Sequence, residues 1–172
     1  MAIRCIALPT ERVRELQSGA PDDYGLLPEP RVSDGDGTPC RHCLRHVAAG
    51  EAYLVLAYRP FPVPQPYAET GPIFIHAAPC ERAEEGAELP PIADGTPDYI
   101  VRGYGADDRI VYGTGAVTPT ERIGHRAAEL FGRPDVAYLH VRSARNNCYQ
   151  FRIERSREAH ASTRTGSAPS AR

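Results

Sequence analysis

The fold is decided near the end of the sequence, by the stretch VAYLHVRSARNNCYQFRIE at residues 136–154. Residues 136–142 and 147–154 are rich in the β-branched and aromatic side chains that favour strands. The polar residues between them turn at Arg145 and Asn146. This pattern predicts a β-hairpin, and the rest of the chain is best interpreted around it.

The remaining sequence predicts more strands than helices. Strands are expected at residues 2–8, 52–61 and 73–76, and in a second hairpin formed by residues 99–104 and 109–117. Helices are expected at residues 10–18 and 119–131. In the second helix, Thr118 is predicted as the N-cap, Pro119 as the first helical residue and Glu121 as the capping-box partner. The Pro- and Gly-rich residues 20–39 are expected to form a loop.

Few helices and many hairpin-linked strands are typical of an α+β fold. We therefore predict one domain over residues 1–155, with a mostly antiparallel sheet and two short helices. Residues 156–172 contain Ser, Ala, Arg and Thr without a hydrophobic pattern, so they predict a disordered tail.

The chain has no lysine, and its 20 basic residues are all arginines. The absence of lysine excludes a lysine Schiff base, a lysine anchor for pyridoxal phosphate and a lysine that binds phosphate. The net charge of −2 gives no overall positive field for binding nucleic acid. No apolar run approaches the roughly 20 residues that span a membrane, and the N-terminus lacks a secretion signal. We expect a cytoplasmic protein that binds neither nucleic acid nor membrane, and the oligomeric state stays open.

Cysteine and histidine form the first candidate site. Cys40 and Cys43 make a C-x-x-C pair, and His76 and Cys80 follow downstream. Together they complete the Cys₃His set of a closed, structural zinc site, and no other cofactor is expected. Two alternatives stay open: Cys40 and Cys43 form a redox pair, or His76 and Cys80 are ordinary buried residues at a strand end.

A proline-rich loop carries the second candidate site. Tyr67, Glu69 and His76 lie on this loop and on the strand that follows it. Glu69 and His76 are candidates for an acid/base pair, with Tyr67 beside them, because such side chains transfer protons near neutral pH. The alternative is that Glu69 pairs with Arg59 to close the loop.

The third candidate site lies at the tip of the last hairpin. Arg142, Arg145 and Asn147 are typical of a site for a carboxylate or another anion, because guanidinium groups bind such groups bidentately. Arg102 and Tyr104 on the preceding hairpin are candidates to join them. The alternative is a polar, exposed turn with solvated arginines.

Five separated motifs together resemble one protein family. They are PCRHCL at residues 39–44, YRPF at 58–61, PYAETGPIFIHA at 66–77 with Cys80, RGY at 102–104 and RSARNNC at 142–148. In this order they resemble the bacterial domain-of-unknown-function family 1203, from about Ile3 to Arg155. The resemblance implies a single small domain, and it brings no agreed activity.

Three functional hypotheses follow. If the candidate sites converge, they line one pocket for a small anionic substrate, with Arg59, Arg102, Arg142 and Arg145 beside Tyr67, Glu69, His76 and Tyr104. The first hypothesis is a cofactor-independent enzyme that acts on an amino-acid- or keto-acid-derived carboxylate by condensation, cyclisation or isomerisation. A Pictet–Spengler-type closure, as in secondary metabolism, is one example. The second is a zinc-stabilised, non-catalytic binding module, and the third is a thiol-redox protein that uses Cys40 and Cys43.

Overall fold

The computed structural model describes residues 2–156 of the 172-residue chain. Within these residues the chain forms two α-helices and eight strands: β1 (Ile3–Ile6), α1 (Thr10–Gln17), β2 (Glu29–Val32), β3 (Ala52–Tyr58), β4 (Gly71–His76), β5 (Asp98–Tyr104), β6 (Ala116–Pro119), α2 (Ile123–Phe131), β7 (Tyr138–Ser143) and β8 (Tyr149–Arg155). The predicted tail lies outside the described residues except for Ser156, whose amide donates to the carbonyl of Ala2.

The described strands form two antiparallel sheets. One has five strands in the order β1-β8-β7-β5-β6, and the other has three in the order β2-β3-β4. The predicted hairpin of β7 and β8 is confirmed, and it occupies the centre of the larger sheet, where Val141 lies opposite Phe151. The predicted α+β class, with one domain and a mostly antiparallel sheet, is confirmed.

Alternation along the central strands gives the larger sheet two different faces. Leu139 and Val141 of β7 lie in an apolar core with Tyr99 and Val101 of β5, and α2 covers this face with its apolar side chains, including Ile123. The opposite face carries polar and aromatic side chains. We call it the arginine face, and its residues are Arg102, Tyr104, Tyr138, His140, Arg142 and Arg152.

A bulge in β8 completes the arginine face. Val141 pairs with Phe151 and Arg142 pairs with Tyr149, so Gln150 is the extra residue. The extra residue reverses the alternation, and Tyr149 therefore packs against His140 instead of joining Phe151 in the apolar core. Proteins often use bulges in this way to re-aim side chains beside a site.

Two predicted elements were wrong in detail. Residues 29–32 form the edge strand β2 within the predicted loop, and all four side chains are exposed, so no hydrophobic alternation marked this strand. The second predicted hairpin pairs β5 with β6 at Ala116–Pro119, and residues 105–115 form a longer connection than the predicted turn. In the described range, no helix is long and apolar enough to span a membrane.

The start of α2 was also predicted incorrectly. Thr118 and Pro119 pair with Tyr99 and Asp98, so they extend β6 instead of capping a helix. A 3₁₀ turn at Thr120–Arg122 follows, and α2 begins at Ile123 without a side-chain cap. The sheet ladder therefore overrides the capping-box pattern that Thr118, Pro119 and Glu121 suggest.

Candidate metal centre and arginine face

A tight turn presents Cys40 and Cys43 side by side. The amide of Cys40 donates to the carbonyl of Arg45 at 2.9 Å, and the amide of Leu44 donates to the carbonyl of Cys40 at 3.0 Å. Leu44 takes a left-handed conformation, with φ of 52°, which is rare for a bulky side chain. The fully buried Arg41 anchors this turn, because its Nε donates to the carbonyl of Tyr149 in β8 at 2.7 Å.

Strand β4 and helix α1 position the other half of the cluster. His76 is the last residue of β4, and its carbonyl accepts a hydrogen bond from Gln17 Nε2 at 2.8 Å. Arg14 Nη2 donates to the carbonyl of Cys80 at 2.7 Å. Arg14 and Gln17 are three residues apart, so one face of α1 holds both ends of the 76–80 loop.

The four predicted ligands come together. The Sγ atoms of Cys40, Cys43 and Cys80 and a ring nitrogen of His76 all lie within 4.8 Å of one another. Cys40 Sγ is 4.0 Å from Cys80 Sγ, and Cys43 Sγ is 3.6 Å from His76 Nδ1. In a tetrahedral zinc site with Zn–S bonds of about 2.3 Å, ligand atoms are roughly 3.8 Å apart. We call these four residues the cysteine cluster, and its geometry is compatible with a bound metal.

The three thiols strongly affect one another's pKa values. Hydrogen bonds from Cys43 and Cys80 hold the pKa of Cys40 well below its usual range. The bond to Cys40 also raises the pKa of Cys43 to about 11, and the bonds to Cys40 and Cys43 raise the pKa of Cys80. Two thiols thus stabilise one thiolate, whereas three neighbouring thiolates need a cation to offset their repulsion.

Two further side chains surround the cysteine cluster. His42 Nδ1 lies 3.1 Å from Cys80 Sγ, and its Nε2 lies 3.0 Å from Thr10 Oγ1, so the ring connects the cluster to α1. Glu51 Oε2 lies 3.5 Å from His76 Nε2. Outer partners of this kind orient the ligands of metal sites. A cleft of about 710 Å³ runs beside Cys43, His76 and Cys80.

The arginine face lies beyond the other end of β4. Arg102 Nη1 donates to both carboxylate oxygens of Glu69, at 3.2 and 3.1 Å, and Arg142 Nη2 lies 3.1 Å from Glu69 Oε2. Asn147 contributes indirectly, because its backbone and side-chain oxygens accept hydrogen bonds from Arg142 Nε at 3.1 and 3.0 Å. The arginine face therefore already binds a carboxylate, and Glu69 supplies it.

Beneath this contact lies a buried layer of aromatic rings around His140. The ring centroids of Tyr104, Tyr138, Tyr149 and Phe61 are 4.6 to 5.2 Å from that of His140. Burial, followed by the charges of nearby arginines, holds the pKa of His140 well below its usual value. Burial also raises the pKa of Tyr104, although Arg102 and Arg142 partly offset this effect. Both side chains are therefore neutral at pH 7.

The structure separates the predicted acid/base pair. Glu69 precedes β4 and His76 ends it, and five residue steps of extended strand span roughly 17 Å. His76 faces the cysteines, whereas Glu69 faces Arg102 and Arg142. Glu69 therefore pairs with Arg102 and Arg142 and not with Arg59, whose Nε donates to the carbonyl of Phe61.

The other predicted site residues lie around the rim. Tyr67 is half-buried, and its hydroxyl lies 3.2 Å from that of Tyr112. Arg145 is exposed at the tip of the β7–β8 turn. The single pocket predicted from four arginines therefore reduces to Arg102 and Arg142, with Tyr104 beneath them.

A family model described as a protein of unknown function (DUF1203) matches residues 37–155. The chain belongs to this family. The matched region contains the whole cysteine cluster, Glu69 and the arginine face, but it begins after β1, α1 and β2. Neither the search of curated proteins nor the search of solved structures found a match.

Three residues of these clusters were missed by the sequence analysis. The alternation of Tyr138, His140 and Arg142 along β7 could have placed His140 beside Arg142. His42 lies inside the C-x-x-C pair, but its spacing does not show which side chain it contacts. Nothing in the sequence connects Glu51 with His76.

Proposed function

We propose that this protein is a zinc-stabilised domain in which Cys40, Cys43, His76 and Cys80 hold one structural zinc ion. The observation that carries the proposal is the convergence of three thiols and one imidazole within 4.8 Å. Four protein ligands leave no open position for a substrate, as is usual for zinc ions that stabilise a fold.

Charge and connectivity support this role. A zinc ion offsets the repulsion of three thiolates, which hydrogen bonds among thiols cannot do. The cluster also connects a turn, the end of β4 and, through Arg14 and Gln17, helix α1. A bound metal would thus hold together segments that are distant in sequence, much as a cross-link does.

Metal analysis of the purified full chain tests the proposal. We expect about one zinc per chain and, after substitution with Co²⁺, the visible absorption bands of tetrahedral thiolate coordination. Chelation should lower the midpoint of thermal unfolding, and added zinc should restore it. A chain that binds no zinc and unfolds at the same temperature with or without chelator would contradict the proposal. Recovery of a reversible Cys40–Cys43 disulfide in thiol titrations would favour the redox alternative.

The arginine face supports a second candidate function. Its carboxylate contact, with Tyr104 and His140 beneath it, favours an enzyme that binds an amino-acid- or keto-acid-derived carboxylate without an organic cofactor. Arg102 and Arg142 would bind the substrate carboxylate, and the neutral His140 would donate a hydrogen bond to charge that develops on the substrate. Condensation, cyclisation and isomerisation are the candidate reactions. Because the chain has no lysine, any imine in such a reaction must form from an amine of the substrate.

Incubation with pairs of amines and keto acids, followed by mass spectrometry, tests this second function. Any product should depend on Arg142 and His140, so Arg142→Ala and His140→Phe should each reduce turnover at least tenfold. Arg145→Ala, at the exposed tip of the same hairpin, is the matched control and should retain turnover. Unchanged turnover in both test variants would remove the arginine face from the chemistry.

A further inference from the structure

We propose that Glu69 is an internal occupant of a carboxylate-binding site and that a small carboxylate bearing a neighbouring hydroxyl or oxo group displaces it. Residues 59–70 act as the lid that carries Glu69 into and out of this site. The inference rests on the second candidate function, at the arginine face, and adds the second polar group of the ligand and the gate. It holds whether or not the bound ligand reacts.

The carboxylate and the two guanidinium groups of this contact are buried to different extents. The side chain of Arg142 is 4% exposed and that of Arg102 is 19% exposed, whereas that of Glu69 is 35% exposed. The two guanidinium groups are thus fixed on central strands, and the carboxylate reaches them from a surface loop. Because a buried guanidinium needs an anion close by, a ligand carboxylate that replaced Glu69 would preserve the charge balance.

Glu69 leaves several buried polar atoms near the contact without a hydrogen-bond partner. Among residues 2–156, four buried atoms near the contact find no hydrogen-bond partner: Arg142 Nη1, the hydroxyl of Tyr104 and both ring nitrogens of His140. All three residues are at most 3% exposed. Buried polar groups are rarely left unpartnered, and such groups often mark a functional role. A hydroxyl or oxo group next to a ligand carboxylate has the chemistry to pair with them.

The lid is held by different kinds of contact at its two ends. Residues 59–70 contain four prolines, at positions 60, 62, 64 and 66, which stiffen the backbone between Phe61 and Glu69. Near the Glu69 end, the lid is held by a hydrogen bond from Gln65 Nε2 to the carbonyl of Asp108 at 2.9 Å and by the contact between Tyr67 and Tyr112. At the other end, Phe61 is buried against Tyr104 and His140. Phe61 therefore stays in place while the Glu69 end lifts, and the movement exposes only the small apolar side chain of Ala68, which packs beside Phe61.

Chemical rescue in Glu69→Ala tests whether the site accepts a free carboxylate. The substitution removes the internal carboxylate, so acetate should bind to Arg102 and Arg142 and raise the midpoint of thermal unfolding. At about ten times the dissociation constant, the expected rise is roughly 3–5 °C above that in chloride at the same ionic strength. Glycolate, with its additional hydroxyl, should reach the same rise at a lower concentration. The wild type should show a much weaker effect, because Glu69 competes with the added carboxylate.

Two further variants make the result decisive. Glu69→Ala combined with Arg102→Gln should lose the rescue, whereas Glu69→Ala combined with the exposed Arg145→Gln should keep it. Glu69→Gln is the second background if Glu69→Ala folds poorly, and there ¹³C-acetate line broadening reports binding directly. If neither background distinguishes acetate from chloride, the proposal is overturned. If acetate rescues stability but no substrate is turned over, this inference stands and only the enzymatic function is rejected. Zinc content tests the metal proposal separately.

Discussion

Strand β4 connects two polar clusters of opposite charge, the cysteine cluster at its His76 end and the contact of Glu69 with the arginine face beyond its Gly71 end. At the first, three thiols lie together, and all three become thiolates only when a bound cation offsets their repulsion. At the second, Glu69 supplies the anion that Arg102 and Arg142 require. The difference predicts different responses to a ligand: metal binding should contribute directly to folding, whereas a carboxylate must compete with a group that is already bound.

The largest effect should follow from Cys40→Ser, which removes the most buried ligand of the cysteine cluster. We expect the loss of stoichiometric zinc and a fall of more than about 4 kcal/mol in the free energy of unfolding. Denaturant unfolding with zinc and with chelator measures this effect. In the variant the two curves should coincide. Curves that remain as far apart as in the wild type would show that metal stabilises the chain somewhere other than this cluster.

A smaller effect should follow from Arg142→Met, which retains the apolar stem of a buried side chain but leaves the Glu69 carboxylate with one partner fewer. We expect a loss of about 2–4 kcal/mol in the free energy of unfolding. Because the two residues form an ion pair, Glu69→Gln in the Arg142→Met background should cost less than Glu69→Gln alone, with a coupling of roughly 1–3 kcal/mol. Arg145→Met is the matched control and should change stability by less than about 0.5 kcal/mol. Additive effects would show that Glu69 does not neutralise Arg142.

The two clusters also differ in how far the sequence alone could predict them. Ligands of the cysteine cluster occur in short motifs, and a C-x-x-C pair indicates its chemistry whatever the surrounding fold. Residues of the arginine face come from β5, β7 and β8, and Glu69 reaches them from a loop. Only the strand register brings Arg102 opposite His140. A sequence pattern cannot supply that register. This is why Glu69 was assigned to His76 or Arg59 when its partners are Arg102 and Arg142.

Similar limits apply to the fold. The central hairpin was predictable because two apolar strands flank a polar turn. Edge strand β2 was not, because its hydrogen bonds to β3 form without any buried side chain of its own. The bulge at Gln150 could not be anticipated either, although it decides that Tyr149 packs against His140.

The pH dependence of stability should distinguish the arginine face from the cysteine cluster. Burial and the charges of Arg142, Arg152 and Arg102 hold the pKa of His140 well below its usual value of about 6.5. Below that pH the unfolded chain takes up a proton at His140 and the folded protein does not, so the free energy of unfolding falls by up to about 1.4 kcal/mol per pH unit. This loss continues until the pH reaches the folded-state pKa.

Replacement of His140 by Phe tests this contribution, because it keeps an aromatic ring among Tyr104, Tyr138 and Tyr149. Zinc ligands also take up protons in acid, but they do so equally in both proteins, so the difference between the two unfolding profiles isolates His140. We expect the stability of the variant relative to the wild type to increase as the pH falls from 7 to 5. Parallel profiles would show that His140 takes up its proton equally easily in the folded and unfolded chain.

The smallest effect should follow from Cys148→Ser, which removes a thiol that lies outside the cysteine cluster. Cys148 lies in the turn between β7 and β8, and its Sγ contacts the backbone carbonyl of Asn146 at 3.6 Å. A serine hydroxyl can make the same contact, so the free energy of unfolding should change by less than about 0.5 kcal/mol, with zinc content unchanged. Thiol titration under native and denaturing conditions provides the second measurement: in the zinc-loaded protein, Cys148 should react quickly and Cys40, Cys43 and Cys80 slowly. Loss of metal in Cys148→Ser would place this turn in the metal site. The cysteine cluster and the arginine face would then not be separate sites.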